Sequence, residues 1–249
     1  GISQPTVSRA LAELGNEVLR LGTGRAIQYA LRDPARGLPE IPVHRVSHEG
    51  KLRQIGTLIP VRPEGFVMQQ EDGQPRYSDG LPWWLFDMRP QGFLGRAYAT
   101  RHAAALGLPA RLNEWSDTHA LRALLAHGQD TIGNLLLGDR ARDQFLSTTA
   151  TPIGMADKVP AYHQLAEEAA RGDLPGSSAG GEQPKFAAYV ETATGPQHVL
   201  VKFTSPDDNP ITERWRDLLL AEHLALETLR EANVPAVTTR LIDAGAQRF

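Results

Sequence analysis

A run of small residues, Gly176-Ser177-Ser178-Ala179-Gly180-Gly181, leads into Glu182-Gln183-Pro184-Lys185-Phe186, and a second strand-like run follows, Val199-Leu200-Val201-Lys202-Phe203. Residues without bulky side chains let backbone N–H groups approach phosphate oxygens closely. A lysine on the next strand adds a point charge to the same phosphates. The order therefore suits a nucleotide phosphate clamp built from Ser177, Ser178, Ala179, Gly180, Gly181 and Lys202. Period-two alternation puts Leu200 and Lys202 on one strand face and Val199, Val201 and Phe203 on the other.

A carboxylate further along joins this set. Pro210 to Ala232 reads as one long helix, with Pro210 in its first turn after Asn209. Its predicted apolar stripe is Ile211, Trp215, Leu218, Leu219, Leu226 and Leu229. Glu222 falls on that stripe, four residues after Leu218 and four before Leu226. A carboxylate on a buried face is costly unless a cation meets it, and Lys202 is the nearest candidate in sequence. Loop, strand lysine and helix glutamate, in that order, are the parts that a protein-kinase amino-terminal lobe uses to hold the α- and β-phosphates.

The elements that must carry these residues read as an α+β chain. Gln4 to Leu14 is a predicted helix with Ser3 as N-cap, Val7, Ala10, Leu11 and Leu14 as its apolar stripe, and Gly15 as its stop. Strands at Glu17–Leu21 and Ala26–Leu31 flank the turn Gly22-Thr23-Gly24-Arg25. Helix followed by hairpin is the order of a winged helix-turn-helix, whose earlier helices would precede residue 1. Residues 34–41 read as a linker. Val43–Ser47, Leu52–Val61 and Phe66–Gln70 read as an antiparallel meander, followed by helices at Leu94–Leu106 and Thr118–His127. Met155 to Arg171 is a further predicted helix, and Lys185–Glu191 and Gln197–Thr204 are strands. Val234–Val237 leads into a final strand, and the last nine residues read as a strand, a turn and the start of another. The expected division is residues 1–33, part of a winged helix-turn-helix; 42–150, a small α+β subdomain; and 151–249, a truncated kinase-like amino-terminal lobe. Both ends are expected to be cut from a longer protein.

Composition narrows the function classes. The 249 residues include 41% hydrophobic and 22% charged side chains, ordinary for a globular protein. No apolar run approaches the roughly 20 residues of a membrane helix, and no signal-peptide pattern opens the chain, so no membrane partner is expected. Cysteine is absent, which excludes disulfides and fits a cytoplasmic location. A net charge of −3 argues against nucleic-acid binding over the whole surface. The charge is uneven, however. Residues 1–36 carry Arg9, Arg20, Arg25, Arg32 and Arg36 against Glu13, Glu17 and Asp33, while the remainder is net acidic. A basic tip on an acidic body points to a local DNA contact.

Gln4, Thr6, Ser8 and Arg9 are the residues expected at that contact. They face outward near the amino terminus of the first helix, where a recognition helix presents side chains to base edges and phosphates. Glutamine suits adenine and arginine suits guanine in the major groove. Arg25, at the hairpin tip, could reach a phosphate or the minor groove. Single winged modules bind weakly, so a homodimer or a paired partner is expected.

These residues carry a family resemblance. Ser177–Lys185, His198-Val199-Leu200-Val201-Lys202, and Ala221-Glu222-His223 followed by Asn233-Val234-Pro235 resemble the HipA family of bacterial toxin serine/threonine kinases. Trp83-Trp84-Leu85-Phe86-Asp87-Met88-Arg89-Pro90 and Asp130-Thr131-Ile132-Gly133-Asn134-Leu135 are similar to that family's small amino-terminal subdomain. Residues 1–32 resemble the winged helix of a subgroup with the DNA-binding module fused to the kinase chain. The resemblance implies ATP and Mg2+ as cofactors and a kinase toxin of a toxin–antitoxin-type system. It implies phosphorylation of a protein serine or threonine, with an aminoacyl-tRNA synthetase as one candidate substrate. It also implies autophosphorylation of Ser177 or Ser178, which inactivates the enzyme. The family's catalytic and metal-binding aspartates have no match in this chain, so the chain alone is not expected to transfer phosphate. The alternative is a transcriptional regulator whose kinase-like domain senses a ligand. A sugar-kinase-type repressor would need an aspartate-glycine-threonine phosphate motif, which the sequence lacks.

Overall fold

The structure, a computed structural model, describes residues 3–24, 27–171 and 181–249. It is a mixed chain of helices and antiparallel sheets in two compact units, residues 1–89 with 104–148, and residues 90–103 with 149–249.

The first unit opens with α1 (Gln4–Leu14), then β1 (Val18–Leu21) and β2 (Gln28–Leu31), an antiparallel hairpin with Val18 opposite Leu31. Ser3 sits at the N-cap position of α1, yet its hydroxyl makes no capping bond and meets the Thr6 hydroxyl at 2.8 Å instead. A meander follows: β3 (Ile41–Val46), β4 (Leu52–Pro60), β5 (Phe66–Gln70) and β6 (Arg76–Ser78). Next come α2 (Gly92–His102), which belongs to the second unit, then α3 (Asp117–His127), β7 (Leu135–Leu137) and α4 (Gly138–Ser147). The sheet order is β6-β5-β4-β3-β7, with every neighbouring pair antiparallel.

Alternation along β4 and β5 explains why both sheet faces are covered. Leu58, Phe66 and Met68 point to a core shared with Leu121 and Leu124 of α3. Ile59 and Val67 point the other way and pack with Val61 against Leu21 and Ala30 of the hairpin. Removing each such side chain from water is worth about 1.5–3 kcal/mol. Ser116 caps α3 in a reciprocal capping box with His119. Leu85 and Met88, in a short 3-10 turn, enter the same core, and Asp117 ties that turn down by accepting from the Leu81 N–H at 2.7 Å and pairing with Arg89 at 3.5 Å. Asn134 pins β7 to β3 through a two-way contact with the backbone of Val46.

The second unit adds α5 (Lys158–Arg171), β8 (Lys185–Thr192), β9 (Gly195–Lys202), α6 (Pro210–Glu231), β10 (Asp243–Ala244) and β11 (Gln247–Arg248). β8 and β9 form a long antiparallel hairpin in which Lys185 stands opposite Lys202. Phe186, Ala188, Val190, Val201 and Phe203 fill one face and pack with Tyr162, Ala166 and Ala169 of α5. Tyr162 meets Phe186 and Phe249 edge-on, with ring centroids 5.4 and 5.6 Å away. Among the described residues, no helix is long and apolar enough to cross a membrane.

Two expectations need adjusting. The stripe predicted for the long helix is only partly its packed face: Leu219 is buried and Trp215 and Leu226 are half-buried, but Ile211, Leu218 and Leu229 are exposed, and Thr212, off the stripe, is buried. Apolar residues wrap more than half of this helix, so periodicity alone could not choose the contact line. The lead-in to the final strand is longer than Val234–Val237: residues 234–242 carry no regular element, and the strand, turn and strand expected of the last nine residues are β10 and β11.

Candidate functional site

β9 delivers Lys202 to the open face of its hairpin. Val201 and Phe203 are drawn into the core, so the residues between them must face away from it. Leu200, on the same face, is 50% exposed. α6 delivers Glu222. Asn209 starts that helix by accepting from the N–H groups of Ile211 and Thr212 at 2.9 and 3.0 Å. Lys202 Nζ donates to Glu222 Oε1 in a close ion pair. The two side chains are 30% and 39% exposed, so burial does not force the pairing as the apolar stripe had suggested. A half-exposed pair contributes little to stability. What it does is tie the lysine's ammonium to α6.

Lys185, overlooked in the sequence, completes the cluster. Directly opposed residues of an antiparallel pair share a face, so Lys185 and Lys202 stand side by side. Lys185 is 4% exposed, and its Nζ donates to the Gly181 carbonyl at 3.3 Å. Burial pushes its ammonium below the ordinary lysine range, the nearby Lys202 pushes the same way, and Glu182 and Glu222 oppose both. Like charges face to face are unfavourable in a sheet, and an anion lying between them reverses the sign of that interaction. Strand pairing in reverse from Lys202 would have found Lys185, because the hairpin turn at Thr194 sets the register.

Ser177, Ser178, Ala179 and Gly180 lie outside the described residues, as does Arg25. Gly181 is described and adopts a positive φ of 102°. That backbone conformation favours glycine, and a Cβ there would also stand 3.0 Å from Lys185 Nζ. Its carbonyl also accepts from the Phe93 N–H at 3.0 Å. Glu182 pairs with Arg96 of α2 at 2.5 Å, and that guanidinium holds the carboxyl below its ordinary range. Among the described residues, no group of three or more His, Asp or Glu side chains is arranged to hold a metal ion.

The residues expected at DNA sit on α1. Gln4, Thr6, Ser8 and Arg9 are all exposed, and no residue of α1 is buried among the described residues. Arg9 Nε donates to the Pro5 carbonyl at 3.4 Å, and the Thr6 hydroxyl is engaged with Ser3. The apolar side, Val7 and Leu14, is exposed as well.

Comparison with known proteins gives the family context. No solved structure matches the chain. The whole chain is 40% identical over 251 residues to "Toxin YjjJ" of Escherichia coli strain K12, and it spans 56% of that protein's length. Residues 38–146, which hold the meander, α2, α3 and most of α4, match the family "YjjJ-like toxin, middle domain".

Proposed function

We propose that the full-length protein is a HipA-like serine/threonine protein kinase with its own DNA-binding domain, acting as the toxin of a toxin–antitoxin-type system. The observation that carries this reading is Lys202, paired with Glu222 from the long helix and flanked by Lys185 on the same hairpin face. That donor set fits a nucleotide di- or triphosphate: two ammoniums for the phosphates and a carboxylate fixing one of them. Leu200 and, opposite it, Ala187 supply an apolar floor beyond the lysines. ATP would supply the γ-phosphoryl group for a protein hydroxyl. Lys202 would bind the α- and β-phosphates, Glu222 would orient Lys202, Lys185 would add charge at the same phosphates, and the small residues Ser177 to Gly181 would bind the same phosphates through backbone N–H groups. Mg2+ and a catalytic aspartate would act from outside the residues of this chain. Autophosphorylation would fall on Ser177 or Ser178, placing about −1.5 to −2 charge where the ATP phosphates bind and so opposing nucleotide binding. The name of its relative, a toxin, is consistent with this reading.

The test is incubation of the full-length protein with Mg-ATP, followed by nucleotide titration and mass spectrometry. Binding that is lost in Lys202→Met, with phosphate on Ser177 or Ser178, is the expected result. No binding and no transfer would favour the transcriptional regulator with a kinase-like sensing domain. Binding without transfer would favour it too.

A further inference from the structure

The junction between the glycine-rich segment and β8 is fastened to α2 at a backbone–backbone approach. Gly92 opens α2 at φ 61°, and a Cβ there would stand 2.3 Å from the Gly181 carbonyl oxygen. With no side chain at either position, the Phe93 N–H reaches that carbonyl at 3.0 Å. This N–H belongs to the first turn of α2 and has no partner within the helix. One turn further on, Arg96 Nη2 meets Glu182 Oε2 at 2.5 Å. The Gly181 carbonyl also accepts from Lys185 Nζ at 3.3 Å. A single peptide group thus joins α2 to the lysine that faces Lys202.

We propose that the Arg96–Glu182 ion pair is a latch that holds Gly181 and Glu182 on the first turn of α2 and so sets the position of Lys185. Arg96 is a positioning residue: it touches Glu182, three residues before Lys185 in sequence, and acts through Gly181 and Lys185. The functional consequence rests on the nucleotide reading above. Both side chains are more than half exposed, so the pair adds little to global stability. Its effect is local. Without it, the Phe93–Gly181 bond opens more often, and the Gly181 carbonyl that accepts from Lys185 is held less firmly.

Hydrogen exchange on the full-length protein tests the latch without reference to nucleotide. Arg96→Ala and Glu182→Ala should each speed exchange of the Phe93 amide about threefold to fivefold, with the melting temperature almost unchanged. The charge exchange Arg96→Glu with Glu182→Arg should restore protection. Affinity for Mg-ATP should weaken by a similar factor in each single variant and return in the exchanged pair. Gly92→Ala, which forces the two backbones apart, should give the largest effect on exchange. Unchanged exchange in both single variants overturns the latch, as does failure of the exchanged pair to restore protection. Faster exchange with unchanged affinity, in a protein that binds Mg-ATP, overturns the positioning role. If the wild-type protein binds no nucleotide, the nucleotide reading falls by itself, and the exchange comparison still decides the latch.

Discussion

The lysine pair separates two kinds of electrostatic work. Lys202 and Glu222 neutralise each other at the edge of solvent, where the pair is worth little as stability. Lys185 is buried beside a like charge, and its ammonium is held down. Replacing Glu222 by Gln should therefore leave the fold intact and weaken Mg-ATP affinity in the full-length protein about tenfold, by loss of one charge-assisted contact. Titration with a fluorescent nucleotide checks this, and an unchanged affinity would remove Glu222 from the site. A different buried group contributes to acid stability. His44 lies in β3 with Nδ1 unpartnered among the described residues. Burial and the Arg142 guanidinium hold its imidazolium below the ordinary range, against Asp139 and Asp143 of α4 and the Leu136 carbonyl. The unfolded chain then takes up this proton first as pH falls, so stability drops below about pH 6.5. Urea unfolding between about pH 5 and 8 should show that slope, and His44→Gln should flatten it.

At the scale of elements, legibility in the sequence followed from how strongly each pattern was punctuated. α1 occupies the predicted residues because Pro5 and Gly15 bracket it, and β8 and β9 follow from short apolar runs on either side of the turn at Thr194-Gly195. α4 was not anticipated. Gly138-Asp139-Arg140-Ala141-Arg142-Asp143 is polar on most of its circumference, and only Gly138 and Ala141 are buried. α6 shows the opposite fault, since too many leucines hide which line makes contact. The pairing of Lys202 with Glu222 was legible from chain order. Lys185 was within reach of the hairpin register but not used, and Arg96 was not legible, because a helix far away in sequence brings it to Glu182. Backbone approach has its own signature at Gly56, opposite Val43 where the β3 register shifts. A Cβ there would meet the Gln69 carbonyl oxygen at 2.3 Å and Gln70 Cα at 2.9 Å. Both are backbone atoms of the neighbouring strand and cannot turn aside. Gly56→Ala should cost about 1–3 kcal/mol, read as a lower denaturant midpoint with an unchanged slope. A midpoint matching wild type would mean that β4 and β5 can separate at this point without loss.

For the molecule as a whole, charge distribution limits how nucleic acid could be bound. Beyond residue 36 acids outnumber bases, so a duplex is repelled by most of the chain and must be met by the basic tip. α1 suits that task, since Gln4, Thr6, Ser8 and Arg9 share its exposed surface and no other described element covers them. The family context does not supply this conclusion, because the matched middle domain begins only at residue 38. DNA binding through α1 therefore stands on its own test, in the full-length protein and at fixed salt. A phosphate contact by Arg9 would make Arg9→Ala weaken all sequences alike and reduce the salt slope by about one. A base contact would cost about 1–3 kcal/mol on the preferred site alone. Fluorescence anisotropy with one specific and one scrambled duplex at two salt concentrations separates the two. The nucleotide affinity of the same variant should match wild type, because Arg9 lies in the first unit and Lys202 in the second. Unaltered DNA affinity in Arg9→Ala and in Gln4→Ala would remove α1 as the DNA-contacting element and leave its exposed surface without that role.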